Sequence, residues 1–222
     1  MVDTIVNVSV KERGIIILKL LKKHYRTKSM LKQLSSYGTF RVLIATILSQ
    51  RARDEQTMMI AEKLFARYKS PKQLAYADER EVRNMIKSIG FYRNKAKSII
   101  QVSRIIHEKY HDKVPGNYEE LLSLPGVGRK TAGCVIVYGH GKQAIPVDTH
   151  VHRISNRIGL VKTRRPEETE AKLMIVFPRK DWHLVNELFV NHGRSICRPV
   201  SPRCSECPIK KYCDYASKQG KL

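Results

Sequence analysis

Three groups of residues in this 222-residue chain have types and spacings suited to chemistry. Lys130 closes the string LPGVGRK, and Asp148 lies eighteen residues further along the chain. An amine can act as a nucleophile, and a carboxylate can stabilise positive charge or move a proton. Four cysteines near the C-terminus could hold a metal as thiolates: Cys197, Cys204, Cys207 and Cys213.

The glycine-rich string before Lys130 predicts a tight connection between two helices. Pro125 fixes φ where the first helix ends, and Gly126 permits a left-handed backbone. Gly128 leaves the N–H groups at the start of the second helix uncovered, which suits a DNA phosphate. Charge and a hydroxyl group are added at the same end by Arg129, Lys130 and Thr131. The alternative is an ordinary helical corner closed by glycines.

Lys130 and Asp148 each allow two interpretations. The helix dipole and Arg129 disfavour the ammonium form of Lys130, which suits a nucleophilic amine, but the local sequence by itself favours a solvated lysine that contacts phosphate. Asp148 comes directly before a predicted helix, so it is a candidate N-cap. It is also a candidate catalytic carboxylate, and one residue could fill both roles.

The cysteine spacing C-x6-C-x2-C-x5-C fits zinc or an iron–sulfur cluster. Zinc ribbons normally use two C-x2-C pairs, and this segment has one. Disulfides are the weaker alternative for a cytosolic chain. Nearby basic side chains would offset an anionic cluster and could contact phosphate: Arg203, Lys210 and Lys211. Cys134 lies in an apolar run and is expected to be a small buried residue.

The composition indicates a polyanionic partner. Lys and Arg number 42 against 20 Asp and Glu, for a formal net charge of +22. Nucleic acid is the first candidate and an anionic membrane surface the second. Neither a signal peptide nor an apolar stretch of about 20 residues is visible, so we expect a cytoplasmic, nucleoid-associated protein with no membrane span.

Helical periodicity dominates the elements that must position these residues, and strand patterns are scarce. The sequence therefore predicts an all-α fold, with Asp78 as the N-cap of one helix. The predicted helices cover residues 11–25, 40–49, 54–69, 78–88, 95–110, 118–124, 128–137, 149–158, 167–176 and 182–192.

Together, LPGVGRKTA, then VDTHV, then the cysteine spacing resemble the endonuclease III family of helix-hairpin-helix DNA glycosylases, over residues 40 to 213. The resemblance implies two helical domains flanking a cleft. One is a six-helix barrel over residues 31–142 that contains the helix-hairpin-helix. The other joins residues 1–30 to 143–222 and carries a 4Fe–4S cluster on the four cysteines. A monomer acting on damaged duplex DNA is the expected form.

The resemblance also implies the reaction, which is base excision repair of oxidised or damaged pyrimidines. Lys130 would attack C1′ of the damaged nucleotide, form a Schiff base and cut the strand 3′ to the lesion by β-elimination, while Asp148 would assist base departure. The nucleotide must be flipped out of the duplex. Residues 47–54 and 90–95 would fill the gap, with Phe91 as either a wedge or a core residue. Further DNA contacts are expected from the hairpin, His150, Arg93 and Lys95.

Three positions depart from the common family pattern. Ser49-Gln50-Arg51 replaces Ser-Ala-Gln, so either Gln50 or Arg51 could fill the gap. Leu122 stands where a Glu is often found, and Phe91 stands where Leu is common.

Two alternative functions remain at this point. A mismatch-specific thymine or uracil glycosylase is one, although such enzymes often lack the lysine. A non-catalytic iron–sulfur DNA-binding protein is the other, although simple binding does not require both Lys130 and Asp148. An adenine glycosylase is disfavoured because the helix at residues 41–48 has no Glu and no further domain follows.

Overall fold

The computed structural model describes residues 8–25 and 30–218, and within them it contains helices and no β-strand. The prediction of an all-α fold is confirmed. The α-helices, in chain order, are α1 (Val10–His24), α2 (Met30–Leu34), α3 (Thr39–Ser49), α4 (Asp54–Arg67), α5 (Pro71–Ala75), α6 (Glu79–Ile86), α7 (Tyr92–Glu108), α8 (Tyr118–Leu122), α9 (Arg129–Cys134), α10 (Thr149–Arg157), α11 (Pro166–Val176), α12 (Trp182–Ser195) and α13 (Asp214–Lys218). None of these is long and apolar enough to cross a membrane.

Backbone contacts divide the chain into two compact units. The terminal unit contains the described residues of Met1–Ser29 and Gln143–Leu222, and the central unit spans Met30–Lys142. The terminal unit is therefore built from both ends of the chain.

Helix α3 is the buried axis of the central unit. Every residue from Val42 to Leu48 is buried, and α3 packs against α4, α7 and α9. A helix that is apolar on all sides can only be stable when surrounded. The loop that follows Ser49 therefore leaves a rigidly packed helix end.

Local capping explains where several neighbouring helices begin. The side chains of Ser70, Asp78 and Asn117 each accept a backbone N–H in the first turn of α5, α6 and α8. Pro71 occupies the first turn of α5, where its missing N–H costs nothing. The N-cap predicted at Asp78 is confirmed.

The hairpin between α8 and α9 adopts the predicted turn. Gly126 has φ of 77°, and the Val127 N–H donates to the Leu124 carbonyl at 3.1 Å. Helix α9 continues as a π-helical turn over Val135–Gly139, which the periodicity did not predict. Cys134 is fully buried within this run, as expected.

The core of the terminal unit is formed by α1, α10, α11 and α12, with side chains such as Ile17, Leu21, Val151 and Phe189. The buried Arg13 of α1 donates to the Asp214 carboxylate at 2.7 Å and to the Gly159 carbonyl at 2.5 Å. This charge-assisted pair fastens the N-terminal helix to α13.

Candidate functional site

The start of α9 is open, as the glycine string predicted. Gly128 is the N-cap residue, and a Cβ added there would meet no atom within 4 Å. Lys130 lies in the first turn and is half-buried, whereas Arg129 is exposed with its guanidinium 5.1 Å from the Tyr118 ring centroid. This end of the helix has room for an anion next to the Lys130 amine.

Gln50 connects the loop after α3 to this hairpin. Its side-chain amide donates to the Gly126 carbonyl at 2.9 Å and to the Thr131 hydroxyl at 3.3 Å. Thr131 is only 4% exposed, so its hydroxyl supports Gln50 instead of adding to the outer face of the helix. The structure thus corrects the expected placement of Thr131 against DNA.

Two residues in left-handed conformations face each other beside the hairpin. Arg51 has φ of 52° and Phe91 has φ of 60°. The Arg51 guanidinium lies 5.2 Å from the Phe91 ring centroid, and the Phe91 side chain is 59% exposed. Such strain in non-glycine residues persists only where surrounding contacts impose it, and it is concentrated at functional sites. We call residues 50–53 and 88–91 the wedge loops.

Each wedge loop also accepts a hydrogen bond from a neighbouring helix. The Gln56 side chain of α4 donates to the Ser88 carbonyl at 2.7 Å. The Lys95 ammonium donates to the carbonyls of Leu48 and Gln50, at 2.8 and 2.6 Å. The left-handed residues are therefore held from more than one side.

Lys95 does not lie where the sequence predicted. It is 5% exposed, and burial lowers its pKa to about 8. An ammonium enclosed in this way is not available to a DNA phosphate. We expected residues 90–95 to form a loop. In the structure α7 begins at Tyr92, so Lys95 belongs to the helix and lies on its buried face. Arg93 stays exposed and donates to the Tyr92 hydroxyl at 3.2 Å.

In the terminal unit, Asp148 is the N-cap of α10, as the local sequence predicted. Its Oδ1 accepts the backbone N–H groups of His150 and Val151, both at 2.9 Å. Two such bonds fix the carboxyl group in one orientation. An N-cap role and a catalytic role are compatible, because both bonds use the same oxygen.

His150, in the first turn of α10, is half-buried against α12. Its Nδ1 lies 3.1 Å from a guanidinium nitrogen of Arg153, and a Cβ on Gly193 would fall 2.5 Å from the same ring atom. Burial lowers the pKa of His150, against the opposing effect of Asp148. Only a glycine on α12 allows His150 this position beside Asp148.

The four C-terminal cysteines line one cavity in the terminal unit, together with apolar side chains such as Ile196, Ile209 and Ala216. The four are free thiols with no disulfide among them. Burial raises the pKa of Cys207 to about 12 and also raises that of Cys213. Thiolates in this apolar surrounding therefore require a cationic group. Within residues 8–25 and 30–218, no three His, Cys, Asp or Glu side chains are arranged to hold a single metal ion.

Donor groups approach the sulfur atoms of this cavity. The His192 Nε2 lies 3.6 Å from Cys207 Sγ, and an Arg157 guanidinium nitrogen lies 3.7 Å from Cys197 Sγ. Arg153 donates to the Cys197 carbonyl at 2.9 Å. Sulfur atoms that bind iron carry negative charge, which such donors stabilise.

The basic residues predicted around the cysteines have different surroundings. Arg203 is exposed but forms an ion pair with Glu206 at 3.1 Å and donates to the Ser195 carbonyl. Lys211 is exposed and Lys210 is half-buried. Arg203 therefore contributes to holding the cysteine loop in place.

Sequence reasoning did not identify Arg153, Arg157 and His192 as part of the cysteine site. Arg153 and Arg157 are four residues apart on α10, so they share a helix face. That spacing of two arginines was the available signal in the sequence. His192 carried none, because its distance from Cys207 depends on how α12 packs.

Comparisons with known proteins identify the family of this chain. The HhH-GPD superfamily of base excision DNA repair proteins matches residues 44–179. Endonuclease III from Thermotoga maritima is 52% identical over 182 residues, which is 82% of this chain and 85% of the relative. The chain belongs to the endonuclease III family of the HhH-GPD superfamily. The resemblance found in the sequence is confirmed.

Two solved structures match almost the full length of this chain. A trapped endonuclease III–DNA covalent intermediate, the estranged-adenine complex, has a TM-score of 0.84 at 31% identity and covers 96% of this chain and 100% of that chain. A thermostable thymine-DNA glycosylase has a TM-score of 0.81 at 25% identity and covers 94% and 98%. Because both share the fold, the assignment of activity must rest on site residues.

Proposed function

We propose that this chain is a DNA glycosylase and abasic-site lyase of base excision repair that removes damaged pyrimidines from duplex DNA. The observation that carries the proposal is Lys130 in the first turn of α9, beside the open N-terminus at Gly128. The relative from Thermotoga maritima is named endonuclease III. One similar solved structure is of an endonuclease III trapped as a covalent intermediate with DNA. A cytoplasmic, nucleoid-associated monomer is part of the same proposal.

In the proposed reaction, the Lys130 amine forms a bond to C1′ as the bond from C1′ to the base breaks. The base leaves with the bonding electrons and takes up a proton. Loss of a proton from the nitrogen and opening of the sugar give a Schiff base with C1′. Removal of a C2′ proton then expels the 3′ phosphate, which cuts the strand. No oxidant or reductant is consumed.

Asp148 has the complementary role in this proposal. The carboxylate would stabilise positive charge that develops on the sugar, and it would accept or return a proton during the reaction. Its two bonds from the α10 backbone end on Oδ1, so Oδ2 is the oxygen assigned to the sugar. The N-cap thereby orients the catalytic group in advance.

We assign the filling of the flipped-base gap to Arg51 and Phe91. The Gln50 amide is engaged with Gly126 and Thr131, whereas Arg51 is exposed and stacked on Phe91. An exposed aromatic ring can enter a base step, and a guanidinium can bond to the edge of the unpaired base. Arg93 and Arg129, both exposed on the same unit, are assigned to phosphate.

A 4Fe–4S cluster on Cys197, Cys204, Cys207 and Cys213 completes the terminal unit in this proposal. The residues present fit the group, because four free thiols line one cavity and two cationic or N–H donors approach their sulfur atoms. When bound, the cluster would supply four iron–sulfur bonds that fasten the loop. Purified protein should then be brown and absorb near ~400 nm, and a colourless zinc protein would contradict the assignment.

The decisive experiment for the activity is borohydride trapping on duplex DNA that contains thymine glycol or an abasic site. We expect wild-type protein and Lys109→Gln to form a covalent adduct, because Lys109 is exposed at the far end of α7. Lys130→Gln should form none. An adduct that persists in Lys130→Gln would refute the role of Lys130. Release of a free base without any adduct would indicate a monofunctional mismatch glycosylase, and neither product would indicate a DNA-binding protein.

A further inference from the structure

The most unusual buried group outside the proposed catalytic pair is the Lys95 side chain. It belongs to the first turn of α7, yet it is 5% exposed and burial lowers its pKa to about 8. The two described acceptors of its ammonium are the Leu48 and Gln50 carbonyls at the C-terminal end of α3.

Burial of this ammonium needs an explanation beyond packing. A charge removed from water is costly, and an apolar side chain of similar length would fill the same space without that cost. The carbonyl end of α3 carries partial negative charge and offsets part of it. What the ammonium adds over an apolar chain is two directed bonds to one short stretch of backbone.

The two ammonium bonds hold the end of α3 and the first residue of one wedge loop, and the Lys95 backbone lies next to the other loop. The Lys95 backbone N–H donates to the Phe91 carbonyl at 3.0 Å, while its side chain holds Gln50, the residue directly before Arg51. Arg51 and Phe91 are both left-handed, and such conformations need external contacts to persist. A single residue thus contacts the backbone of one strained residue and of the neighbour of the other.

The same connection extends to the hairpin. Gln50 receives the Lys95 bond on its carbonyl and uses its side-chain amide on Gly126 and Thr131. Helix α9, which carries Lys130, follows directly. A continuous set of hydrogen bonds therefore runs from Lys95 through Gln50 to the turn before α9.

We infer that Lys95 is a positioning residue that holds Arg51 and Phe91 in the geometry needed to fill the gap left by a flipped nucleotide. This inference rests on the proposed function. It assigns no contact between Lys95 and DNA. It separates the step that extrudes the nucleotide, which needs the wedge loops, from the bond chemistry at Lys130, which does not.

The test compares two single-turnover reactions in Lys95→Met, an apolar variant of similar length. Base excision from thymine-glycol duplex requires extrusion, whereas strand cleavage at an abasic site in single-stranded DNA does not. We expect duplex excision to fall on the order of tenfold to hundredfold, as for a misplaced group, and single-stranded cleavage to stay within about twofold. Lys109→Met is the matched control, about 20 Å away along α7, and should change neither rate.

A second measurement reports insertion without chemistry. A duplex carries 2-aminopurine opposite a non-cleavable abasic analogue, and its fluorescence is followed while anisotropy measures binding. Wild-type protein and Lys109→Met should raise the fluorescence on binding. Lys95→Met should bind with an affinity within about fivefold but produce little of that rise.

Three outcomes would overturn the inference: an equal fall in both reactions, no fall in either, or a full fluorescence rise in Lys95→Met. If Lys95→Met does not fold, Lys95→Arg takes its place, because it keeps a charged donor of different length, and the same selective loss on duplex is expected. Wild-type protein that shows neither reaction would instead refute the proposed function, and the fluorescence test would still decide the role of Lys95.

Discussion

At the residue scale, neighbouring side chains with similar polarity have different tasks. Gln50 and Arg51 are adjacent, but the Gln50 amide bonds to the hairpin and the Arg51 guanidinium lies on an exposed ring. Arg51 has a left-handed φ of 52°, whereas Gln50 has φ of −57°. One residue therefore supports the loop, and the other is presented to a ligand.

The assignment of Arg51 and Phe91 leads to a first prediction. Arg51→Ala and Phe91→Ala should each slow excision from duplex by about tenfold or more, because an unfilled gap lets the nucleotide return to the stack. Single-stranded abasic cleavage should change little. Tyr76→Ala, which also removes an exposed aromatic ring, is the control. Equal effects of Tyr76→Ala and Phe91→Ala would argue against a wedge.

The lowered pKa of Lys95 leads to a second prediction. Above about pH 8 its ammonium loses its proton, and charged donors form hydrogen bonds about twice as strong as neutral ones. The ratio of duplex excision to single-stranded cleavage should therefore fall as the pH rises from 7 to 9. In Lys95→Arg this ratio should already be low, because the donor has a different length, and it should not change with pH, because a guanidinium stays charged.

The free energy of unfolding should change with pH in the direction opposite to this ratio of rates. The folded pKa lies below the unfolded value near 10.4, so the unfolded chain binds more protons between these two values. The contribution of Lys95 to the free energy of unfolding thus increases as pH rises through this window. If the ratio of duplex excision to single-stranded cleavage fell only at pH values where the protein also unfolds, the prediction would be wrong. The charged residues that follow its acceptor Gln50 or flank Lys95 in sequence are all exposed: Arg51, Arg53, Arg93 and Lys97.

At the scale of elements, the hairpin places two glycines two residues apart for different reasons. Gly126 needs its left-handed φ of 77° and is close to Ser98, since an added Cβ would lie 3.2 Å from that side chain. Gly128 has φ of −93° and open space around it. Gly126 is needed for the left-handed backbone conformation of the turn, whereas Gly128 leaves the N-terminus of α9 accessible.

This contrast gives a third prediction, in a matched pair of variants. Gly126→Ala should lower the free energy of unfolding by roughly 1–2 kcal/mol. Gly128→Ala should change it by less than about 0.5 kcal/mol but weaken duplex binding several-fold, because its methyl group occupies the anion position. Urea unfolding and anisotropy titrations measure the two effects. Unchanged binding in Gly128→Ala would remove this helix end from the interface.

At the scale of the whole molecule, charge and connectivity stand out. A net charge of +22 favours association with polyanions in general, and it sets no preference among them. The terminal unit joins both ends of the chain, and the cysteine loop lies within it. The matched family range ends at residue 179, before Cys197, so the family match and the cysteine site are separate observations.

The proposed cluster leads to a fourth prediction. Cys207→Ser should lose iron and lower the thermal midpoint, because the loop then lacks one of its four bonds to the cluster. Cys134→Ala is the control, since Cys134 lies in the central unit among apolar residues. It should keep the full iron content and the absorbance near ~400 nm. Full iron content in Cys207→Ser would remove that residue from the set of ligands.

Features that depend on near neighbours in the chain could be predicted from the sequence alone. The helical class, the caps at Asp78 and Asp148, and the left-handed turn at Gly126 are settled by residues within four positions. Family membership is of the same kind, because it rests on motifs that are continuous in the sequence. Lys130 and Asp148 were selected on that basis, and their shared role remains part of the proposal.

Only the tertiary structure decided which polar side chains face outward. Lys95, Thr131 and Gln50 all looked available for DNA, but their partners lie 45 to 81 residues away in the chain. No local pattern encodes such a distance, since it depends on how α3, α7 and α9 pack around one another. Burial then determines whether a given cation binds phosphate or holds a loop, and for Lys95 it favours the loop.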